Sequence, residues 1–430
     1  MTRRKRRIAV VGAGIAGLTA AWRLNQADFD CIVCEAEHQP GGRSRSILDG
    51  GAIHDLGAWT FTADSPMSWL AREVNLPGDL VTLQSTIGRP VDGKLKRGNL
   101  RNPTSLVGSV FTLRESLALV LSLIMSRSFP QNRPDESAAL WADRYFSAEF
   151  TRDVLEPLAA LYFLQSLSTL SRNALLSTIR YLSKIQLQTF KGGMGHLSSF
   201  LASQLTVYTD ARIQKVELTD KKILLVGDSF REEVDGLVLA VPLPETVRLL
   251  EGFLDRSVVN HMAARKYASA LVVRLLLRGR WPQIALQVIP PRGQGMLSCG
   301  FAIERAKHND RVPAGHELVT MFAKPERVGE LAGRSDPELA SMFAGELAGW
   351  LGLPSERIER FWVTRWKTAA AFCDPEAPQR VSALRKSFGG LLLTAPIWVA
   401  GDFLGSSSLS GAVSSGKEAA RSCIDHFYGS

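Results

Sequence analysis

Cysteine and histidine are scarce in this chain, which has five cysteines and seven histidines among 430 residues. Cys31 and Cys34 have C-x-x-C spacing, but they lie in an apolar run typical of a strand, and no second pair completes a zinc site. Five cysteines form no disulfide framework either, so we interpret them as core thiols in a reducing compartment. We therefore predict no metal site. No histidine stands in a recognisable acid–base or nucleophile motif, so we assign no catalytic side chain.

An apolar run long enough to cross a membrane is also missing. The most apolar stretch, residues 105–126, contains the pattern Thr112-x-x-Glu115, which predicts a capping box and a helix from about Leu113 to Arg127. Such a helix is about 22 Å long, whereas the hydrocarbon layer is about 30 Å thick. We predict a buried helix here, with a helix that dips into a membrane surface as the alternative.

The charge balance is basic, with 51 lysines and arginines against 42 acidic residues and a net charge of +9. This excess favours anionic partners such as acidic lipids or carboxylate-bearing substrates. No basic stripe has interleaved aromatic residues, so we predict no nucleic-acid partner. The basic residues 3–7 precede an apolar run as in an export signal, but cleavage would destroy the motif described next. We expect a cytoplasmic protein, or one bound peripherally to the inner face of a membrane. The sequence leaves the oligomeric state open.

The stretch Ile8–Glu35 combines an apolar strand, a glycine turn, an amphipathic helix and a second apolar strand that ends in an acid. Gly12, Gly14 and Gly17 form G-x-G-x-x-G, which allows a tight turn, close approach of backbone to a pyrophosphate, and close packing of helix on strand. The N–H groups at the start of the helix point at that pyrophosphate. Glu35 lies where an acid meets the ribose hydroxyls, so we predict a site for NAD, NADP or FAD.

Two further motifs follow this stretch. In Gly41–Ser44 the glycines allow close backbone approach, and Arg43 can neutralise phosphate charge through two hydrogen bonds. Residues 54–61 read HDLGAWTF and place Gly57 and Ala58 before Trp59, an arrangement suited to backbone lying against a flat ring.

Together, GAGIAGLTAAWRL, Glu35, GGR and DLGAW resemble the flavin amine oxidase superfamily, most closely its protoporphyrinogen oxidase-like branch. The resemblance implies an α/β fold of two domains: a discontinuous Rossmann-like FAD-binding domain, and a mixed-sheet substrate domain with a helical insertion. It implies non-covalent FAD, since no Cys or His lies in a recognisable flavin-attachment motif. The implied FAD contacts are Gly12, Ala13, Gly14, Ile15, Ala16, Gly17, Glu35, Ala36, Gly42, Arg43, Gly57, Ala58, Trp59, Ile213, Gly401, Asp402, Gly411, Ala412 and Val413.

The last of these positions come from distant segments. Ile213 matches the family strand whose backbone meets the adenine. Ile397–Ala420 matches the motif that closes the FAD site, with Asp402 near the ribityl and pyrophosphate groups. The helix that opens at Gly411 is implied to face the flavin pyrimidine, where its dipole stabilises negative charge.

The resemblance also implies the domain boundaries. The FAD-binding domain comprises residues 1–88, 190–241 and 393–430. The helical insertion covers residues 89–189, with membrane contact as an alternative to a solvent-facing surface. Residues 242–392 form the substrate-binding domain.

The implied activity is that of an FAD-dependent oxidase or dehydrogenase acting on a small-molecule substrate. It would remove hydride from a carbon next to nitrogen, or from a precursor of a conjugated system, and O2 or another acceptor would reoxidise the flavin. The helical insertion and a basic loop after a hairpin at Asp92–Gly93 favour a fairly large, apolar, acidic or pyrrolic substrate. Arg101 is the candidate for a substrate carboxylate, and Met194, Trp366 and Phe372 are candidates for the cavity wall.

Two alternatives stay open. A true amine oxidase often has a lysine on the strand that corresponds to Tyr267–Leu277, where the only basic residue is Arg274. It also often has an aromatic residue before the final Gly-Ala, where this chain has Ser408–Ser410. A carrier like the GDP-dissociation inhibitors shares the fold without flavin, but the intact glycines, Glu35 and Arg43 disfavour it.

Overall fold

The computed structural model describes residues 4–76, 79–128, 134–182, 184–219, 222–228, 230–254, 256–263, 265–353, 357–391 and 395–429. Its strands are β1 (Arg7–Val11), β2 (Asp30–Cys34), β3 (Ser46–Asp49), β4 (Ala52–Asp55), β5 (Phe61–Thr62), β6 (Leu80–Thr82), β7 (Thr86–Val91), β8 (Lys94–Asn99), β9 (Leu187–Phe190), β10 (Thr206–Tyr208), β11 (Ile213–Leu218), β12 (Ile223–Gly227), β13 (Arg231–Val234), β14 (Gly236–Leu239), β15 (Tyr267–Arg278), β16 (Gln287–Val288), β17 (Ser298–Ile303), β18 (His316–Ala323), β19 (Ile358–Ala371) and β20 (Ile397–Val399).

The α-helices are α1 (Ile15–Gln26), α2 (Pro66–Glu73), α3 (Leu113–Ser128), α4 (Ala138–Tyr145), α5 (Ala148–Phe150), α6 (Glu156–Phe163), α7 (Arg172–Leu182), α8 (His196–Ser203), α9 (Leu243–Leu249), α10 (Arg256–Ala263), α11 (Val328–Leu331), α12 (Asp336–Leu351), α13 (Ala377–Leu391) and α14 (Leu409–Tyr428).

A parallel five-stranded sheet carries the glycine turn. Its order is β10-β2-β1-β14-β20, so strands from the beginning, middle and end of the chain lie side by side. β1 and β14 read as continuous apolar runs because helices cover both faces of the sheet, as parallel strands require. The predicted α/β fold is confirmed, and this sheet brings together segments that are distant in the sequence.

A second, mixed sheet of seven strands has the order β19-β15-β18-β17-β16-β7-β8. Strand β15, next to the edge strand β19, is antiparallel to both β18 and β19, and the antiparallel hairpin β7–β8 extends the sheet at the other end. Asp92 and Gly93 form the turn of that hairpin, with positive φ at both residues, as the sequence predicts. Helix α12 packs against β15 and β19 and buries their apolar face.

The helical insertion begins with α3, whose N-terminal capping box is observed. The Thr112 N–H donates to Glu115 Oε2 over 2.6 Å, and the Glu115 N–H donates to Thr112 Oγ1 over 3.2 Å. The predicted burial of this helix is wrong on one face: Leu113, Leu117, Val120, Leu121 and Ile124 are each 44–66% exposed. Their spacing of three to four residues places them on one stripe. Among the described residues, no helix combines the length and the apolarity needed to cross a bilayer.

The sequence predicts helices over residues 147–162 and 171–188 and a strand over 205–216, and the structure corrects all three. The helix predicted for residues 171–188 ends at Leu182, because residues 187–190 form β9 and pair with β5 and β6. The strand predicted for 205–216 is two strands in different sheets, β10 and β11. The helix predicted for 147–162 is interrupted by one π-helical stretch at Thr151–Leu155.

The apolar core beneath the five-stranded sheet also includes two helices from residues 242–392, the predicted substrate-binding domain. Leu243 and Leu249 of α9 and Leu384 and Phe388 of α13 pack in the same cluster as β1, β14 and β20. Residues 242–392 thus contribute to both cores. The domain boundaries stay a prediction, and the one at 392/393 lies outside the described residues.

Candidate functional site

The turn between β1 and α1 has the geometry that its glycines predict. Gly12 has φ of 102°, and a Cβ there would lie 2.7 Å from the carbonyl oxygen of Ala240. A Cβ on Gly17 would lie 1.9 Å from the Gly12 oxygen, so only glycine lets α1 pack this closely against the turn. At Gly14, by contrast, no atom lies within 4 Å of the Cβ position. The start of α1 is therefore open to an approaching anion, which fits the pyrophosphate of FAD.

The second glycine motif lies directly against this turn. Gly41 donates its N–H to the Ala13 oxygen over 2.8 Å, and a Cβ on Gly42 would lie 3.4 Å from the Gly14 Cα. Glu35, at the end of β2, accepts from the Ala13 N–H at 2.7 Å. The structure thus brings both glycine motifs and the predicted ribose acid together.

The neighbours of Glu35 extend this arrangement. Its backbone oxygen accepts from the Ala211 N–H at 2.8 Å, which places the start of β11, with buried Ile213, beside it. Ala36 follows Glu35 at the partly exposed edge. The predicted adenine and ribose positions therefore lie close to one another.

Arg43 and Asp402 connect the two ends of the chain. The Arg43 guanidinium donates to both carboxylate oxygens of Asp402, at 2.9 and 2.8 Å, and also to the Ala369 oxygen at 2.9 Å. Burial lowers the pKa of Arg43, but the Asp402 carboxylate outweighs that effect and the net shift is upward. This pair joins the glycine motif of the N-terminal part to the loop after β20.

Helix α14 begins close to this loop. Ser408 caps it by accepting from the Gly411 N–H at 3.0 Å, and Ala412 and Val413 are buried in its first turns. A Cβ on Gly416 would lie 2.2 Å from the Ala16 oxygen, so α14 and α1 cross in close contact. Gly401 donates its N–H to Ser415 Oγ at 3.0 Å and fixes the loop on the helix.

The segment Gly57–Trp59 runs along Arg43. The Ala58 N–H donates to the Arg43 oxygen over 3.0 Å, and a Cβ on Gly57 would lie 2.3 Å from that same oxygen. Trp59 then packs against a buried apolar cluster from the second sheet and α6, with Phe322 at 6.2 Å between ring centroids. This segment therefore lies between Arg43 and the mixed sheet.

The four predicted substrate residues lie in different surroundings. Trp366 donates its Nε1–H to the Leu56 oxygen at 2.8 Å, beside the Gly57–Trp59 segment. Met194 is fully buried in the core around α1 and α8, and Phe372 lies partly exposed at the end of β19. Arg101 is exposed in the loop after β8. Its role in binding a carboxylate stays a prediction.

A cavity of about 50 Å³ lies beside the apolar cluster that contacts Trp59. Its wall includes Ala160 and Cys299, which belong to that cluster, and Arg152, Glu156 and Lys324 at the charged side. Burial raises the pKa of Glu156 and raises that of the Cys299 thiol to about 12. Cys299 is therefore an apolar wall residue rather than a nucleophile.

A group of charged residues that no sequence motif predicts is buried behind Asp55. Lys307 and Arg311 both contact the Asp55 carboxylate, at 2.9 and 2.5 Å from Oδ2. They come from the connection between β17 and β18, whose charged sequence is typical of a solvated loop. The signal for them in the sequence is the position of Asp55, two residues before Gly57 in the motif HDLGAWTF.

The fold and this arrangement define a flavin-dependent oxidoreductase. A family model for flavin-containing amine oxidoreductases matches residues 15–424, and the chain belongs to that family. The predicted FAD cofactor and enzymatic class are thereby confirmed. The glycine turn is open at Gly14, and Glu35 and Gly42 both lie against it, which agrees with this cofactor.

Two relatives are similar to the chain in sequence, and one solved structure is similar to it in fold. The chain is 31% identical to protoporphyrinogen oxidase 2 of Arabidopsis thaliana over 163 residues, which cover 36% of this chain and 31% of that enzyme. It is 27% identical to coproporphyrinogen III oxidase of Mycobacterium tuberculosis over 308 residues, covering 64% and 67% of the two chains. Cyclohexylamine oxidase from Brevibacterium oxydans IH-35A shares the fold, with a TM-score of 0.73, 15% identity and coverage of 98% and 99%.

Proposed function

We propose that this flavoenzyme dehydrogenates a large apolar substrate of pyrrolic or acidic character, of the porphyrinogen type. The observation that carries the proposal is the apolar surrounding of Trp59, which packs against the buried cluster of Ala160, Val272, Ala302 and Phe322. Apolar surroundings beside the segment assigned to the flavin ring suit a broad, largely apolar substrate. The names of the two sequence relatives support the same substrate class.

The residues of this chain have distinct roles in the proposal. The turn at Gly12–Gly17 and the start of α1 hold the pyrophosphate, and Glu35 accepts from the ribose hydroxyls. Arg43 lies along the diphosphate, and the Gly57–Trp59 backbone lies at the flavin ring. Bound FAD supplies the hydride acceptor, and the protein positions the substrate C–H bond against it. No acid–base side chain is assigned.

Anaerobic bleaching of the flavin tests this function. The purified protein is expected to be yellow, and acid precipitation should release all FAD into the supernatant because the cofactor is held without a covalent bond. Coproporphyrinogen or protoporphyrinogen should bleach the flavin in the absence of oxygen, whereas putrescine and cyclohexylamine should not. Bleaching by an amine alone would contradict the proposed substrate class, and a protein that takes up no FAD would contradict the whole assignment.

An amine oxidase is the second candidate, and the fold shared with cyclohexylamine oxidase favours it. The buried arginine on β15 argues against it. Arg274 is fully buried and donates to Thr364 Oγ1 at 2.9 Å and to the Asp55 oxygen, so it is engaged in the protein framework. The same anaerobic experiment separates the two candidates.

We further propose that the exposed apolar stripe of α3, formed by Leu113, Leu117, Val120, Leu121 and Ile124, contacts an anionic membrane surface. Arg114 and Arg127 are exposed on the same helix, and the chain carries a net charge of +9. Apolar residues inserted at the lipid interface together with basic residues near the headgroups are typical of peripheral attachment.

A further inference from the structure

Five charged side chains are buried together where the β3–β4 hairpin packs on the mixed sheet, each at most 3% exposed: Asp55, Arg274, Glu304, Lys307 and Arg311. Asp55 belongs to β4, in the hairpin that precedes the proposed flavin segment. The other four come from β15 and from the connection between β17 and β18. We call these residues the junction cluster.

Asp55 is the centre of the cluster. Its Oδ2 contacts Lys307 Nζ at 2.9 Å and Arg311 Nη2 at 2.5 Å. Its Oδ1 accepts from Ser46 Oγ at 2.7 Å and from the Met194 N–H at 2.8 Å. One carboxylate thus connects the mixed sheet, the β3–β4 hairpin and the loop at residues 192–194.

The remaining members close the network. Glu304 Oε2 contacts Lys307 Nζ at 2.9 Å and Arg311 Nη2 at 3.2 Å, and its Oε1 accepts from Thr320 Oγ1 at 2.9 Å. Arg274 donates to the Asp55 backbone oxygen. Burial opposes ionisation of both carboxyls, but the neighbouring cations outweigh it and lower the pKa of Asp55 and of Glu304.

The cluster carries an excess of positive charge. Burial lowers the pKa of Arg274 to about 10, so this residue is a cation at neutral pH. Three cations face two carboxylates, which gives a formal charge of +1. Replacing buried charges by apolar residues of similar volume often costs no stability. The packing of the β3–β4 hairpin on the mixed sheet therefore does not by itself require such a cluster.

The charge lies immediately behind the proposed flavin segment. Lys307 Nζ is 5.5 Å from the centroid of the Trp59 ring, and Asp55 precedes Gly57 by two residues. A positive charge in this position favours the reduced flavin, which gains two electrons and one proton and becomes an anion.

We propose that the junction cluster, through the charge of Lys307 and the anchoring of Asp55, fixes the Asp55–Trp59 segment and raises the reduction potential of the flavin. The residues act through the segment and the electric field, so they are positioning residues rather than catalytic ones. The inference rests on the proposed placement of Gly57–Trp59 at the flavin ring.

Charge-changing variants of the holoenzyme test the inference, with the two-electron midpoint potential measured against reference dyes. Lys307→Met removes a cation and should lower the equilibrium constant for flavin reduction about tenfold, or ~30 mV for two electrons. Asp55→Asn removes an anion and should raise the constant by a similar factor. The double variant restores the formal charge of +1 and should return towards the wild-type value. Lys386→Met, at an exposed position on α13, is the matched control and should change nothing.

The sign of the shift separates an electrostatic role from a purely structural one. If the substitutions acted only by loosening the Asp55–Trp59 segment, the midpoint potentials of Lys307→Met and Asp55→Asn would shift in the same direction. This result, or no shift in either potential, would overturn the inference. If Lys307→Met does not fold, Arg311→Met replaces it: this variant also removes a buried cation and should lower the constant, and a rise or no change would overturn the inference. Wild-type protein without FAD would overturn the proposed function and the inference with it, whereas FAD-loaded variants with unchanged potentials would overturn the inference alone.

Discussion

Arg43 and Asp402 are 359 positions apart in the chain and form a two-pronged ion pair, with nitrogen–oxygen distances of 2.9 and 2.8 Å. Asp402 is almost fully buried, while Arg43 keeps part of its side chain exposed. The pair fixes the loop after β20 against the second glycine motif. Gly42, the residue before Arg43, lies against Gly14 at the open start of α1. The proposed role at the diphosphate would therefore give the same guanidinium two tasks, holding the loop after β20 and meeting a phosphate.

This double role gives a prediction for Arg43→Ala. The variant leaves the buried Asp402 carboxylate without its cation, and we expect a loss of about 3 kcal/mol in the free energy of unfolding. Under the proposed role at the diphosphate, the dissociation constant for FAD should also rise at least tenfold. Urea unfolding and titration of the apoprotein with FAD measure the two effects.

Arg380→Ala is the control for that variant, since Arg380 pairs with Asp374 at 2.7 Å outside the nucleotide motifs. It should lower stability without changing the FAD dissociation constant. If Arg43→Ala behaved in the same way, with unchanged FAD affinity, the pair would be structural only.

Gly14→Val tests the open position at the start of α1. No atom lies within 4 Å of the Cβ site, so the fold accommodates a side chain there, but the added methyl groups occupy the space in which a pyrophosphate would approach. We expect a folded protein with a normal circular dichroism spectrum and no bound FAD. Gly333→Val, at an exposed turn with equally open space, should keep stoichiometric flavin. Stoichiometric FAD in Gly14→Val would show that the pyrophosphate is bound elsewhere.

The sequence predicted some parts of this arrangement better than others, for a physical reason. Local motifs such as Gly12–Gly17 and Thr112–Glu115 depend on neighbouring residues, and both appear as predicted. The junction cluster could not be predicted, because Lys307 and Arg311 become buried only through a contact with Asp55, about 250 residues earlier. Nor could the exposed stripe of α3, since an apolar sequence does not show which face lacks a partner.

Glu115 gives a prediction about pH. Burial alone would raise its pKa, but hydrogen bonds from Arg292 and from the Thr112 backbone, together with the charge of Arg89, lower it from 4.5 to about 2. A pKa that is lower in the folded state stabilises the fold fully above about pH 4.5 and loses that contribution as the pH falls towards 2. Glu115→Gln should therefore be about 3 kcal/mol less stable than wild type at pH 7, since it leaves Arg89 buried without its carboxylate.

The difference in stability between wild type and Glu115→Gln should narrow steadily below pH 4.5 in urea titrations. Glu330→Gln, which removes an exposed carboxylate paired with Arg327, should differ from wild type by less than about 0.5 kcal/mol at every pH. A difference for Glu115→Gln that stayed constant from pH 7 to pH 3 would show that its charge makes no contribution.

The apolar stripe of α3 gives a prediction about membrane contact. Wild-type protein should co-sediment with vesicles that contain phosphatidylglycerol and bind more weakly to vesicles of phosphatidylcholine alone, because exposed Arg114 and Arg127 flank the stripe. Leu48→Ser, at an exposed leucine of the β3–β4 hairpin, is the control and should bind like wild type. Equal vesicle binding by wild type and the stripe variant Leu117→Ser/Ile124→Ser would contradict the proposal. Absence of wild-type binding to either kind of vesicle would contradict it as well. In Leu117→Ser/Ile124→Ser, the loss of two inserted side chains worth about 1.5 kcal/mol each should weaken vesicle binding at least tenfold, while flavin content stays unchanged because the stripe lies outside the nucleotide motifs.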